Sequence, residues 1–211
     1  MIKFYYASGS PWAWRVQMVL EEKGLPYEPK LLSFSAGDLK KPDYLAMNPH
    51  GKVPVLVDGE QALYESQAIL EYLEEKYPAP ALLPGEPAAR ARTRIEEIEC
   101  TTYLNEAFRG LAQIAFFTPE DKRDAKTLAE RREDVRAELL RLEARAAARG
   151  GDSIMGATLT RADTTWIPFV ELAGRAGAAL DAAGMPWLSA WQSRLRSRDS
   201  YQKSYPPHWR K

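Results

Sequence analysis

Cysteine is almost missing from this sequence. Cys100 stands alone in 211 residues, which excludes an intramolecular disulfide and every Cys-x-x-Cys redox or zinc arrangement. Histidine is nearly as scarce: His50 and His208 are the two present, and their separation gives no clustered spacing for a protein-built metal site. An excess of either charge is also lacking, since Lys plus Arg and Asp plus Glu number 29 each. No global field therefore recruits nucleic acid or an anionic membrane surface, and any basic site must be local. No apolar run approaches the roughly 20 residues of a membrane span. The first residues, Met1-Ile-Lys-Phe-Tyr-Tyr, read as a strand rather than a leader peptide, so the default expectation is a cytoplasmic protein. Internal repeats are absent, and the one biased stretch is a short Ala/Pro-rich segment around Pro80.

What is there divides the chain in two. Ile2, Phe4 and Tyr6 alternate with Lys3 and Tyr5 as in a strand with one face on a core. Ala7-Ser8-Gly9-Ser10 breaks the pattern, and Pro11 then stands at a first helical position with Ser10 as its cap. Trp12, Ala13, Val16, Val19 and Leu20 follow at helical spacing until Gly24. A second strand is expected over Pro26 to Leu32, a short helix over Ala36 to Met47, a strand from Pro54 to Val57, a turn at Asp58-Gly59 and a strand to Tyr64. Glu65-Ser66 then opens a helix whose stripe is Ile69, Tyr72, Leu73 and Tyr77, stopped by Pro78. The order β-α-β-α-β-β-α is that of a thioredoxin-like domain.

The proline-rich segment from Pro78 to Glu86 reads as a linker. Beyond it the pattern is all helical. Ile95, Ile98, Leu104, Phe108, Leu111 and Ala115 are expected to trace one apolar face between Pro87 and Phe117. Thr118-Pro119-Glu120-Asp121 is expected to start the next helix, striped by Leu128, Val135, Leu139, Leu142 and Ala146 and ended by Gly150-Gly151. Thr160 and Asp163 have the spacing of a capping box, and Pro168 should kink the helix they open. The expected layout is a domain over 1–78, a linker over 79–86 and an all-helical domain over 87–211.

The stretch from Asn48 to Ile69 carries most of the chemistry. A proline that begins a strand after a Gly-Lys loop can present the preceding peptide edge to a ligand. Ser66 at a helix start sets backbone N–H groups and a hydroxyl where a small carboxylate would sit. On these residues alone a plain hairpin, strand start and cap are the simpler reading.

Four segments in order shift that balance. Ser10-Pro11-Trp12 is similar to the Ser-Pro-Phe of tau-class glutathione S-transferases, and Trp14-Arg15-Val16 looks like the Trp-Arg-Val of the zeta class. Lys41-Pro42-Asp43-Tyr44-Leu45 with Asn48-Pro49 is similar to that family's segment before its third strand. Val53-Pro54 with Glu65-Ser66-Gln67-Ala68-Ile69 looks like its glutathione-site core, and Leu159 to Asp163 resembles the capping box of its helical domain. The chain thus resembles the glutathione S-transferase family over its whole length, with tau-, zeta- and theta-like features and a bacterial style, class unassigned.

That resemblance implies glutathione as co-substrate and a serine-type site. Glu65 and Ser66 would clamp the γ-glutamyl group and Val53 would pair its backbone with the cysteinyl unit. Pro54 would be cis, Lys40 and Lys52 would hold the glycyl carboxylate, and Trp12 would stand beside the ligand. Ser10 would stabilise the thiolate, with Ser8 and Tyr6 as rivals. Trp12 replaces the cysteine of cysteine-dependent classes and of the zeta isomerase motif, which argues against thiol–disulfide reduction through a protein cysteine. The implied activity is conjugation of glutathione to small apolar electrophiles, a detoxification chemistry, in a homodimer. The electrophile would be walled by some of Trp12, Tyr103, Phe108, Phe116, Phe117 and Trp166, in a pocket expected between the domains. The alternatives are an isomerase like maleylacetoacetate isomerase and a non-catalytic ligand carrier. Cys100 is expected to be a small buried apolar residue and His50 a loop surface residue.

Overall fold

The computed structural model describes residues 1–210. It contains two compact units, one of Met1–Leu82 together with Ser197–Lys211 and one of Leu83–Arg196. The C-terminal segment therefore packs with the first unit, although continuity of helical pattern grouped it with the second.

In the first unit β1 (Ile2–Tyr6), α1 (Pro11–Glu22), β2 (Tyr27–Leu31), α2 (Pro42–Met47), β3 (Val55–Asp58), β4 (Gln61–Tyr64) and α3 (Ser66–Lys76) follow the expected order. The sheet runs β2-β1-β3-β4, with β1 parallel to β2 and antiparallel to β3, and β3 antiparallel to β4. Phe4, Val16, Leu20, Leu56, Ile69 and Leu73 are buried between the sheet and its helices. The helix expected from Ala36 is instead a single 3-10 turn, Asp38–Lys40, followed by α2. Pro42 explains the break: it drives the preceding residue out of the helical region, and Lys41 is extended with ψ 140°.

In the second unit α4 (Pro87–Glu99) continues through a π turn, Cys100–Leu104, into α5 (Asn105–Phe117). The single apolar face expected across this span is split. Leu104, Phe108 and Leu111 are buried, but Ile95 and Ile98 are each 55% exposed. A π turn adds a residue and rotates the stripe by about 100°, so the face of α4 that turns inward carries Thr93, Glu96 and Glu97. Both acids are paired. Arg161 donates to Glu97 from Nε at 3.1 Å and from its terminal nitrogen at 2.8 Å, with both side chains fully buried. Arg145 meets Glu96 at 3.1 and 3.0 Å, and Arg149 joins it at 2.5 Å.

The helix expected to restart at Thr118 is also displaced. Glu120–Lys122 makes one 3-10 turn, Arg123 is extended, and α6 (Ala125–Arg149) begins with Asp124 as cap, accepting from Thr127 N at 2.7 Å. The capping box is present at the start of α7 (Arg161–Arg175), which accommodates Pro168 within its length. Asp163 does more than cap: it also accepts from Ile154 N at 2.8 Å and from Trp191 Nε1 at 2.9 Å. Burial raises its pKa despite these bonds. Helix α8 (Pro186–Arg196) carries Trp191, and α9 (Asp199–Ser204) returns to α1 in the first unit. Among the described residues no helix is long and apolar enough to cross a membrane.

Candidate active site

Strand register gathers the site. Tyr5 of β1 lies opposite Val55 of β3, and Val55 lies opposite Tyr64 of β4. The end of β1, the start of β3 and the end of β4 therefore share one end of the sheet, and three segments adjoin that end: Ala7 to Ser10, Gly51 to Pro54, and Glu65-Ser66. Separated in sequence, these hold Ser10, Lys52, Val53, Pro54, Glu65 and Ser66.

Ser10 is buried and caps α1. Its Oγ accepts from Ala13 N at a long 3.4 Å, and its own N–H donates to Ala7 O at 3.1 Å. A hydroxyl used this way as an acceptor still has its proton to donate. Ser8 is committed elsewhere, 2.8 Å from His208 Nδ1. Tyr6 is half-buried, stacked on Phe4 at 5.6 Å, and burial raises its phenol's pKa.

The Gly51–Pro54 loop is tightly held. Tyr44 Oη and Asn48 Nδ2 each donate to Lys52 O at 2.7 Å, and Asn48 Oδ1 accepts from His50 N at 3.0 Å. Tyr44 and Asn48 are both buried, and burial, with Tyr5 nearby, pushes the Tyr44 phenol up to about 12, so it remains a donor. Gly51 is fixed by geometry, because a Cβ there would stand 2.8 Å from Leu39 O. That approach brings the segment ending in Lys40 beside the one bearing Lys52, and both lysines are exposed. The Val53–Pro54 peptide is cis, and Val53 is buried.

Glu65 has φ 66° and ψ 109°, the one positive φ at a non-glycine residue among those described. A long side chain held there is strained, and such strain clusters at functional sites. No side chain caps α3, so its first N–H groups and the positive end of its dipole face the sheet end with buried Ser66 at their start. Arg15, buried in α1, donates to Gln67 in the first turn of α3 and lies over the half-buried Trp12 ring at 5.9 Å. It thereby ties together the two helix starts.

Several contributors carry little local sequence signal. Asn48 before a Pro-x-Gly was the available cue for a loop-holding amide, whereas the Tyr44, Arg15 and His208 contacts depend on tertiary approach. Of the aromatic wall candidates, Trp166 and Phe108 are buried in the second unit, Trp166 donating to Glu96 O at 2.9 Å, while Tyr103, Phe116 and Phe117 are exposed. Cys100 is buried, its Sγ 3.7 Å from Thr165 O, and His50 is exposed.

A mixed β2-β1-β3-β4 sheet with this crossover order, preceding a unit of long helices, defines a thioredoxin-like domain joined to an all-helical one. The chain belongs to the glutathione S-transferase family. Residues 4–81 match the family's N-terminal domain and residues 106–199 its C-terminal domain. Glutathione S-transferase A of Pleuronectes platessa is 33% identical over 207 residues, covering 97% of this chain and 91% of that one. A glutathione S-transferase from the Antarctic clam Laternula elliptica superposes with a TM-score of 0.87 at 32% identity, covering 99% and 93%. Maleyl pyruvate isomerase, a bacterial zeta-class member, superposes with a TM-score of 0.82 at 29% identity, covering 97% and 96%. Other solved family members hold bound glutathione.

Proposed function

We propose that the protein is a glutathione transferase whose bound thiolate is stabilised by Ser10. The observation that carries this reading is the convergence, at one sheet end, of a serine-capped helix start, a pinned loop before a cis proline, and an uncapped helix start behind a strained glutamate. Glutathione has two carboxylates, an amine and a thiol. The open N-terminus of α3 with Ser66 suits the γ-glutamyl carboxylate, and the Glu65 carboxylate suits its ammonium. The Val53 backbone suits the cysteinyl unit as an added strand would. Lys40 and Lys52 suit the glycyl carboxylate, with Trp12 alongside.

A free thiol has a pKa of roughly 8.5 and is mostly protonated at neutral pH. A hydrogen bond from Ser10 Oγ to sulfur, at the positive end of α1, favours the thiolate, and each unit of lowering corresponds to about 1.36 kcal/mol. The thiol proton leaves to solvent. The sulfur pair then forms a C–S bond to a small apolar electrophile, and the displaced group takes the electrons of its own bond. A homodimer in the cytoplasm with a detoxifying role completes the reading; the exposed Ile95 and Ile98 on α4 offer apolar surface for the dimer contact.

Calorimetry with glutathione, followed by conjugation of an electrophile panel by wild type and Ser10→Ala, tests this. The expected result is retained binding with turnover reduced about a hundredfold, the scale of losing one preorganised hydrogen-bond donor. Unchanged turnover would move attention to Tyr6, and binding without any turnover would favour a carrier. Likeness to a zeta-class isomerase supports a second reading, glutathione-dependent cis–trans isomerisation, which would proceed without consuming glutathione.

A further inference from the structure

The loop that presents Ser10 is held from behind by the chain's own C-terminus. Glu22 at the end of α1 receives Arg198 through two bonds of 2.7 Å and the Ser200 hydroxyl, fixing the entry to α9. Trp14 is then wrapped by the tail. Its Nε1 donates to Ser204 Oγ at 2.9 Å, and the rings of Tyr201, Tyr205 and Trp209 stand 5.6, 5.7 and 5.7 Å away. After Pro206 a single 3-10 turn, Pro207–Trp209, closes on the loop. There His208 Nδ1 meets Ser8 Oγ at 2.8 Å. A Cβ on Gly9, whose φ is +87°, would lie 3.2 Å from the Trp209 ring and 3.4 Å from that of His208. A small, partly open cleft remains between loop and tail, lined by Tyr6, Ser8, Ser10, Gln17, Lys203 and Tyr205 among others.

We propose that His208 and Trp209 are positioning residues for Ser10, acting through Ser8 and Gly9. This rests on the glutathione reading above and adds to it a specific source of precision. The Ala7–Ser10 loop contains a glycine at positive φ, and Ser10 N to Ala7 O is its backbone bond outside the neighbouring helix and strand. A donor displaced by about 1 Å from a reacting atom can lose two orders of magnitude in effect. His208 anchors the residue two before Ser10, and Trp209 covers the backbone one before it. The tail thus bears on the loop that sets the serine hydroxyl's position.

The test uses the full chain with His208→Ala, Ser8→Ala, their double variant, Trp209→Ala and His208→Asn. For each, the pKa of the bound glutathione thiol is read from ultraviolet thiolate absorbance against pH, with the glutathione Kd from calorimetry and Tm alongside. The alanine variants should raise the bound thiol's pKa by about half to one unit and lower neutral-pH kcat/KM about three- to tenfold, with Kd changed less than twofold. The His208/Ser8 double variant should be no worse than either single, because both remove one contact, and His208→Asn should recover most of the loss. Variants with lower Tm but an unshifted thiol pKa would overturn the proposal and leave the tail a stability element only. If wild type lowers the thiol pKa and the tail variants match it, the positioning inference alone fails. If wild type binds no glutathione, both readings fall.

Discussion

The Ser10 hydroxyl has the two properties its proposed role requires: a fixed place, as the cap of α1, and a proton not consumed by that cap. Its role as a cap was legible because Ser-Pro before an amphipathic run is a local code. The competition among Ser10, Ser8 and Tyr6 was not, because it turns on who else holds each hydroxyl, and the partner of Ser8 lies 200 positions away. Glu65 makes a second prediction at this scale. With φ 66° it stores strain that glycine would not, so Glu65→Gly should gain about 1 kcal/mol of stability by denaturant titration. The same variant should weaken glutathione binding at least tenfold, because it removes the carboxylate offered to the ammonium. Loss of stability together with unchanged affinity would contradict both halves.

Among elements, the strands and the start of α7 follow their own sequence, whereas the start of α6 falls seven residues beyond the Thr118-Pro119 signal, at Ala125. The α7 capping box is written in Thr160 and Asp163, but Asp163 also gathers Ile154 and Trp191, which no local pattern encodes. Asp163→Ala would orphan several buried donors at about 1 to 3 kcal/mol each, so a loss of 3 kcal/mol or more is expected by denaturant titration. The exposed Ile95 and Ile98 show the opposite case, in which a π turn rotated an apolar stripe that periodicity alone placed inward. The face of α4 that did turn in depends on paired charge. Arg161→Met would break the buried ion pair with Glu97 and should cost about 3–5 kcal/mol, whereas Arg161→Met combined with Glu97→Leu should recover most of it. At the junction of α1 and α9, burial raises the Glu22 pKa, but bonds from Arg198 and Ser200 outweigh it and leave the carboxyl below its ordinary value. A depressed folded-state pKa contributes stability above the unfolded value of about 4.3 that is lost as pH falls through the lower folded value. Hydrogen exchange in residues 199 to 209 should therefore quicken as pH drops below about 4, after correction for intrinsic rates; protection unchanged across that range would contradict the assignment.

For the whole molecule, balanced charge leaves no global field to recruit nucleic acid or an anionic membrane surface, and two patterns of periodicity separate a sheet domain from a helical one. What they did not reveal is that the last segment returns to the first unit, because a short aromatic helix has no sequence mark for the element it will pack against. The central claim is that this fold brings a hydroxyl to the sulfur of bound glutathione. Its most direct measurement is the pKa of that thiol in the wild-type complex and in Ser10→Ala. The wild-type value should lie at least one unit below the free thiol's roughly 8.5 and return toward it in the variant, with glutathione affinity retained. Equal values in the two complexes would contradict it.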